Sequence, residues 1–209
     1  MSDAPTFSSL PVAPVDDALF QAALTRIDEV NALDPNITAI EGETLPYELF
    51  YSHRLFAWVQ QLSPTASQPL LLAARAQHIG RWQSPRSSYP EGRVGYLKWR
   101  ADLKQFHADT SGRILEDLGF PAPFIARVQS LNLKKDLGRD PEAQVLEDAL
   151  CLMTLQYQLT DLCQKTPREK MISILQKTWR KMSPAGHTAA LALPYPAEQL
   201  ALIQEALAS

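Results

Sequence analysis

Histidines and carboxylates on otherwise apolar helical faces are the residues of this sequence best placed to do chemistry. His78 shares a face with Leu71, Ala74 and Trp82, and His107 falls in the stripe Tyr96, Leu103, Ile114 and Leu118. Asp148 lies on the stripe Val145, Leu152, Leu155 and Leu159, and Glu48 on that of Tyr51, Leu55, Val59 and Leu62. Burying an unpaired carboxylate costs roughly several kcal/mol, so each acid needs a cation, a metal or a strong set of donors. A lone histidine on an apolar face is more often a hydrogen-bonded core residue. Four such groups on four helices, however, are the raw material from which helical bundles build metal sites. Imidazole and carboxylate ligands suit Zn, Mn or Fe and leave positions open for water or substrate. Glu48, His78, His107 and Asp148 are thus the expected metal ligands, with His53 as an alternative to Glu48. No local HExxH-type spacing certifies the set, and satisfied core polar groups are the competing reading. His187 is the expected catalytic acid, with a further ligand or a helix cap as its alternatives.

A second feature is charge. The formal net charge is −3, yet Arg75, Arg81, Arg86, Arg93, Lys98, Arg100 and Lys104 face only Glu91 and Asp102 within the same span. Trp82, Tyr89, Tyr96 and Trp99 are interleaved with them. Guanidinium forks match phosphate oxygens, and aromatic rings stack on bases or cover an apolar ring. Arg75, Arg86, Arg93, Tyr96 and Arg100 are the expected substrate-binding residues; a solvated helix face above core aromatics is the plainer reading. The loop 83–92 joins the His78 helix to the His107 helix, which would set Arg86 and Arg93 beside a site built by those histidines. Because the basic cluster is local, a phosphorylated small molecule or nucleotide fits better than duplex DNA, with an RNA end as the alternative partner.

The elements that must position these groups read as helices. Asp16 or Asp17 caps a first helix that stops at Asp34-Pro35, since a residue before proline avoids the helical region. Pro46 opens a second, Ser67 caps a third running to about Trp82, and a long helix spans about 93–118 and ends at Gly119. A short helix covers about 121–131. Asp140-Pro141-Glu142 is a strong start for an apolar helix reaching about Cys163. Pro167 opens a helix ending near Met182, and a tail helix follows Pro196. Nothing alternates with period two over a useful length, and no 20–50-residue repeat is present. The expected fold is a single all-α domain of seven to nine helices over residues 16–209, behind a loose arm over 1–15.

Composition agrees. The 209 residues include 30 Leu and 26 Ala against 16 Val plus Ile, a balance that favours helices. The acidic balance excludes bulk nucleic-acid coating, and no apolar run approaches the roughly 20 residues of a membrane span. The opening segment lacks the basic and apolar regions of a signal peptide. Cys151 and Cys163, twelve residues apart, cannot bridge within one straight helix, so free thiols and a cytoplasmic location are expected.

Two short strings resemble the nucleotide-binding signatures of class I aminoacyl-tRNA synthetases: His78-Ile79-Gly80 the start of HIGH, and Lys181-Met182-Ser183 the start of KMSKS. Both are incomplete, and the parallel-sheet context they require is missing, so synthetase activity is not expected.

Longer stretches are similar to domain of unknown function 4202. They include Ile27-Asp28, Asn31, Asp34-Pro35-Asn36, Leu72–Ile79, Trp82, Pro85-Arg86-Ser87, Tyr89-Pro90, Gly92–Arg100, Phe106-His107-Ala108, Leu146-Glu147-Asp148, Lys177–Ser183 and Gly186-His187. The resemblance covers nearly everything after the N-terminal arm and supplies no activity, although some members carry a glutamyl-tRNA synthetase label. Gly80 stands where it implies a basic residue. The order His78, His107, Asp148 on successive helices also resembles the HD-domain phosphohydrolases, which implies metal-activated water attacking a phosphate ester; Ile79 occupies the position of the Asp in their His-Asp pair. The expected function is a divergent, HD-like, metal-dependent hydrolase of a phosphorylated small molecule or nucleotide. A non-catalytic nucleotide- or RNA-end-binding module built on the 75–104 block is the alternative, and a helical scaffold for another protein is the third reading.

Overall fold

The computed structural model describes residues 12–208. Among them the chain forms ten α-helices and one small hairpin: α1 Asp17–Asn31, β1 Ile37–Ile40, β2 Glu43–Pro46, α2 Tyr47–Leu62, α3 Gln68–Arg75, α4 Gly92–Asp117, α5 Ala122–Asn132, α6 Pro141–Met153, α7 Leu159–Lys165, α8 Arg168–Trp179, α9 Pro184–Leu191 and α10 Ala197–Ala208. The π-helical turn Thr154–Gln158 runs straight on from α6 into α7. The domain is therefore all-α, as the Leu and Ala excess predicts.

The helix starts follow side-chain chemistry. Asp16 accepts from the Leu19 N–H, Ser67 from that of Leu70, and Asp140 from those of Glu142 and Ala143. Pro46 has no side chain to cap α2. Asp34 does it from a distance, its Oδ2 accepting the Glu48 N–H at 3.0 Å while Oδ1 holds Asn36. The first turn of α2 is thereby fixed on the end of the preceding loop.

Three elements depart from the sequence expectation. The antiparallel hairpin pairs Ile37 with Pro46 and Ile40 with Glu43. Its turn places Glu41 at φ 56° and Gly42 at φ 81°, the two positive angles of a tight hairpin turn. Four-residue strands are too short to show a period. Second, α3 ends at Arg75 rather than near Trp82, because the chain turns over Ala76–Gly80 and Gly80 takes φ 66°. Third, α9 is a separate helix. Ser183 caps it, with Pro184 at its first position, and it lies between the two helices expected to end near Met182 and to begin after Pro196.

One cluster of buried apolar side chains joins α1, α2, α3, α4, α5 and one face of α6, including Ile27, Leu55, Leu70, Leu115, Phe124 and Leu146. A second joins the end of α6 to α7, α8, α9 and α10 through Leu152, Leu159, Leu175, Ala190 and Ile203. Trp58 and Leu62 of α2 pack against both, making one domain. The expected arm over 1–15 lies mostly outside the described residues. Within the described part, Val12 and Val15 pack on the first cluster, and the Val15 backbone exchanges hydrogen bonds with the Gln68 side chain. No helix among the described residues is long and apolar enough to cross a membrane. Cys151 and Cys163 are free thiols.

Candidate anion-binding cleft

A cleft of about 310 Å³ opens where the two clusters meet. Tyr47 and Tyr51 reach it from the first turns of α2, and Gln77, His78 and Arg81 from the turn after α3. One stripe of α4 supplies Tyr96, Arg100, Leu103 and His107, successive residues three or four apart on a single helical face, with Lys104 beside them. Lys134 enters after α5, Glu147 and Cys151 from α6, Thr154 and Gln158 from the π turn, and Lys181 from the loop before α9.

The floor is a buried set of rings. His78 stacks on Tyr51 with centroids 4.1 Å apart and planes 14° from parallel, and lies 5.9 Å from the His107 ring. His107 Nδ1 is 2.9 Å from the Ile79 carbonyl oxygen. A carbonyl only accepts, so Nδ1 carries the proton and Nε2 is left as an acceptor. Burial, then the neighbouring His78, pushes His107 down to about 3. Burial likewise holds His78 well below its ordinary value, with Arg81, Arg100 and Lys134 adding to the effect. Both imidazoles are uncharged at neutral pH.

Behind His78 stands Glu48, 4 % exposed, with Oε2 3.4 Å from His78 Nδ1 and Oε1 3.9 Å from Arg81 Nε. Burial raises its carboxyl to about 8, Arg81 pulling down and Asp34 pushing up. Glu48 Oε2, His78 Nδ1 and the Gln77 side-chain oxygen are buried without a hydrogen-bonding partner. Glu48 Oε2 and His78 Nδ1 face each other, so the Glu48 proton can be shared between them, and the Gln77 oxygen is left as polar capacity beside the cleft.

Charge dominates the walls. Arg81, Arg100, Lys104, Lys134 and Lys181 converge on the cleft, and Glu147 is the carboxylate among its lining residues. Arg81 is held over the Trp99 ring, 5.0 Å from its centroid. Glu147 pairs with Lys134 at 2.5 Å and Lys181 at 3.6 Å. Arg100 and Lys104 have no carboxylate within 4.0 Å among the described residues. Partial burial, then Lys134 and Arg100 nearby, pushes the Lys104 ammonium below its usual value, the mark of uncompensated positive potential.

The sequence from residue 21 to residue 203 matches a family model described as Domain of unknown function (DUF4202). The chain belongs to the DUF4202 family. No curated protein and no solved structure matches it.

Of the expected ligands in this DUF4202 domain, Glu48, His78 and His107 come together and Asp148 does not. Asp148 accepts from the Ser183 N–H, the Ser183 hydroxyl and the Gln144 amide, which leaves it outside the cleft lining. The HD-like order is therefore not reproduced in space. Among the described residues no group of three or more His, Cys, Asp or Glu side chains could hold a metal ion. Neutral imidazoles and a carboxylate are donors of the right type for Zn, Mn or Fe, but Arg81 beside Glu48 and the cations lining the cleft oppose a divalent ion there. His53 lies instead beside Asp28, at 3.3 Å. His187 stacks on Trp179 at 4.1 Å and donates from Nε2 to the Trp179 carbonyl, away from the cleft lining.

Among the expected substrate-binding residues, Tyr96 and Arg100 line the cleft. Arg75 is taken up by a bidentate pair with Asp28 at 2.6 Å. Arg86 donates to the carbonyls of Tyr89 and Pro90 and so shapes its own loop. Arg93 is exposed and absent from the lining. Gly80, where the family resemblance implies a basic residue, has φ 66°, and a Cβ there would stand 3.0 Å from Gln83 and 3.2 Å from the Phe106 ring. Its flexibility turns the chain so that Arg81 follows into the site. His78 and Lys181, the leading residues of the two synthetase-like strings, meet at this cleft. The strings sit on helix ends and turns, far from the parallel-sheet setting of those enzymes.

Proposed function

We propose that this DUF4202 domain binds a phosphorylated small molecule or nucleotide in the cleft. The carrying observation is the pair Arg100 and Lys104, cationic, pointed into a concave site and lacking a carboxylate of their own. Arg81, Lys134 and Lys181 extend the field, and guanidinium and ammonium donors are the groups that recognise phosphoryl oxygens. Tyr96, 45 % exposed at the rim, offers a face to a sugar or base. The cleft volume of about 310 Å³ lies at the lower end for small-molecule sites, which favours a compact ligand.

Metal-dependent hydrolysis has weaker support, because Asp148 is engaged elsewhere and the remaining donors do not form a ligand set. The neutral His107, with Nε2 as an acceptor, can take a hydrogen bond from a bound hydroxyl, but a side chain titrating at about 3 is too weak a base to favour proton abstraction. Free thiols accord with a cytoplasmic setting.

Calorimetric titration with orthophosphate, pyrophosphate, nucleoside phosphates, the matching unphosphorylated nucleosides and a 5′-phosphorylated RNA oligomer tests the reading. Phosphorylated compounds should bind with an affinity that falls as salt rises, nucleosides should not, and Arg100→Ala should abolish the difference. Following the same mixtures by 31P NMR, with and without Mn2+, separates binding from hydrolysis. Equal indifference to every phosphate compound would remove the proposal.

A further inference from the structure

Within a cleft that gathers cations, Glu147 stands apart. It is 5 % exposed, with Lys134 Nζ 2.5 Å from one carboxylate oxygen and Lys181 Nζ 3.6 Å from the other. The two lysines come from segments far apart in sequence, one closing α5 and the other between α8 and α9. Replacing a buried ion pair with well-packed apolar side chains is often neutral or stabilising, so stability alone does not account for this one.

The backbone of Lys134 is a second, independent sign. It has φ 56° at the position after the α5 C-cap, Leu133. Its N–H donates to Leu131 and that of Lys135 to Ser130. The same pair of bonds closes α4, where Gly119 donates to Glu116 and Phe120 to Leu115, and there the left-handed residue is glycine at φ 84°. A non-glycine residue in this conformation is strained. One helix end uses the residue its backbone prefers. The other carries a lysine whose ammonium enters the cleft.

Resting on the reading of the cleft as a phosphate site, we propose that the Lys134–Glu147–Lys181 bridge is a phosphoryl subsite occupied by an internal carboxylate. A ligand with two or more linked phosphoryl groups displaces Glu147 from between the ammoniums. One phosphoryl group lies on Arg100 and Lys104, which are free to take it. The next reaches the lysine pair and must outcompete Glu147. A single phosphoryl group is satisfied at the first position and leaves the bridge closed. Glu147 thus sets the number of phosphates the site demands.

Pyrophosphate is the probe, titrated into the full chain by calorimetry. Wild-type protein should bind it more tightly than orthophosphate. Glu147→Gln, which removes the competing charge and keeps the side-chain shape, should tighten pyrophosphate at least tenfold. Lys134→Gly combined with Glu147→Gln, which relieves the backbone and removes the Lys134 ammonium as well as the competing charge, should lose that gain. In the unaltered protein, the Glu147 carboxyl carbon should shift in 13C NMR as pyrophosphate saturates the site. If wild type binds pyrophosphate while Glu147→Gln is unchanged or weaker, or the carbon does not move, the subsite is wrong and the phosphate cleft stands. If wild type and Glu147→Gln both ignore pyrophosphate, both fall.

Discussion

Asp148 holds both the backbone N–H and the hydroxyl of Ser183, tying the middle of α6 to the cap of α9. Gln144 completes the tie by donating to Asp148 and to the carbonyl of Lys181. Gly186 lies so close that a Cβ would come within 2.8 Å of the Asp148 carboxyl carbon. Lys181 is therefore carried into the cleft by a fixed loop. Asp148→Ala leaves the Ser183 donors without their acceptor and should lower stability by about 2 kcal/mol. Ser183→Ala, which removes one cap, should cost about 1 kcal/mol. Urea denaturation checks both, and equal stability of all three proteins would show that the tie is incidental.

Glu48 gives the protein a pH dependence with a defined sign. Its carboxyl titrates near 8 when folded against an ordinary value of 4.5, so between these values the folded state holds a proton that the unfolded state has released. The stability associated with that proton is complete below the unfolded value and lost as pH rises through the folded one. His78 and His107 are depressed, and their unfolded counterparts take up protons only towards acid pH. The interval from pH 7 to 8 therefore isolates Glu48. Wild type should lose about 1 kcal/mol there, and Glu48→Gln should be flat. Parallel curves would mean that Glu48 is ionised at neutral pH.

The arginines should divide into two classes. Arg75→Ala leaves the half-buried Asp28 with His53 as its remaining partner and removes a cation lying over the Phe56 ring, so it should lower the melting temperature by several degrees. It should leave pyrophosphate binding intact. Arg100→Ala should do the reverse, weakening binding tenfold or more with little thermal effect. A thermal scan and a titration on each protein suffice, and the opposite assignment would misplace the site.

Gly95 is needed for contact rather than for conformation. A Cβ built on it would stand 1.9 Å from the Pro90 carbonyl oxygen, so the loop before α4 rests directly on the helix backbone. Gly95→Ala should displace that loop, cost about 1–3 kcal/mol and alter the fluorescence of Trp99, whose indole N–H donates to Ser84. Unaltered stability and emission would show that the loop yields freely.

Helix starts were legible because caps and prolines act within a few residues, as at Asp16, Ser67 and Asp140. Glu48, His78 and His107 were legible because a polar group on an apolar stripe must be buried. Arg100 and Tyr96 were legible as members of a basic-aromatic run, although the same run contains Arg75 and Arg86, which are engaged by Asp28 and by loop carbonyls. Their partners are fixed by tertiary and loop geometry, and Asp28 lies 47 residues from Arg75. Lys134, one of two adjacent lysines in a loop, gives no local signal, and Lys181 is marked only as the start of an incomplete synthetase-like string. Glu147 was hidden by its neighbour. The stripe on α6 singled out Asp148, whereas both acids are buried, on faces one residue apart. Neighbouring positions on a helix differ by about 100° in direction, enough to send one carboxylate to a cap and the other to the cleft.

The π turn at Thr154–Gln158 has a consequence for chain length. It holds one surplus residue within an otherwise regular rod. Upstream, Glu147 and Cys151 address the cleft, and downstream, Leu159 addresses the second apolar cluster. The widened turn sets the register in which Leu152 before it and Leu159 after it both reach the second apolar cluster. Removing a single residue there would turn everything after it by about 100°. It would be a frame error in space rather than a small shortening, so the length of this segment should tolerate change less than its side chains do.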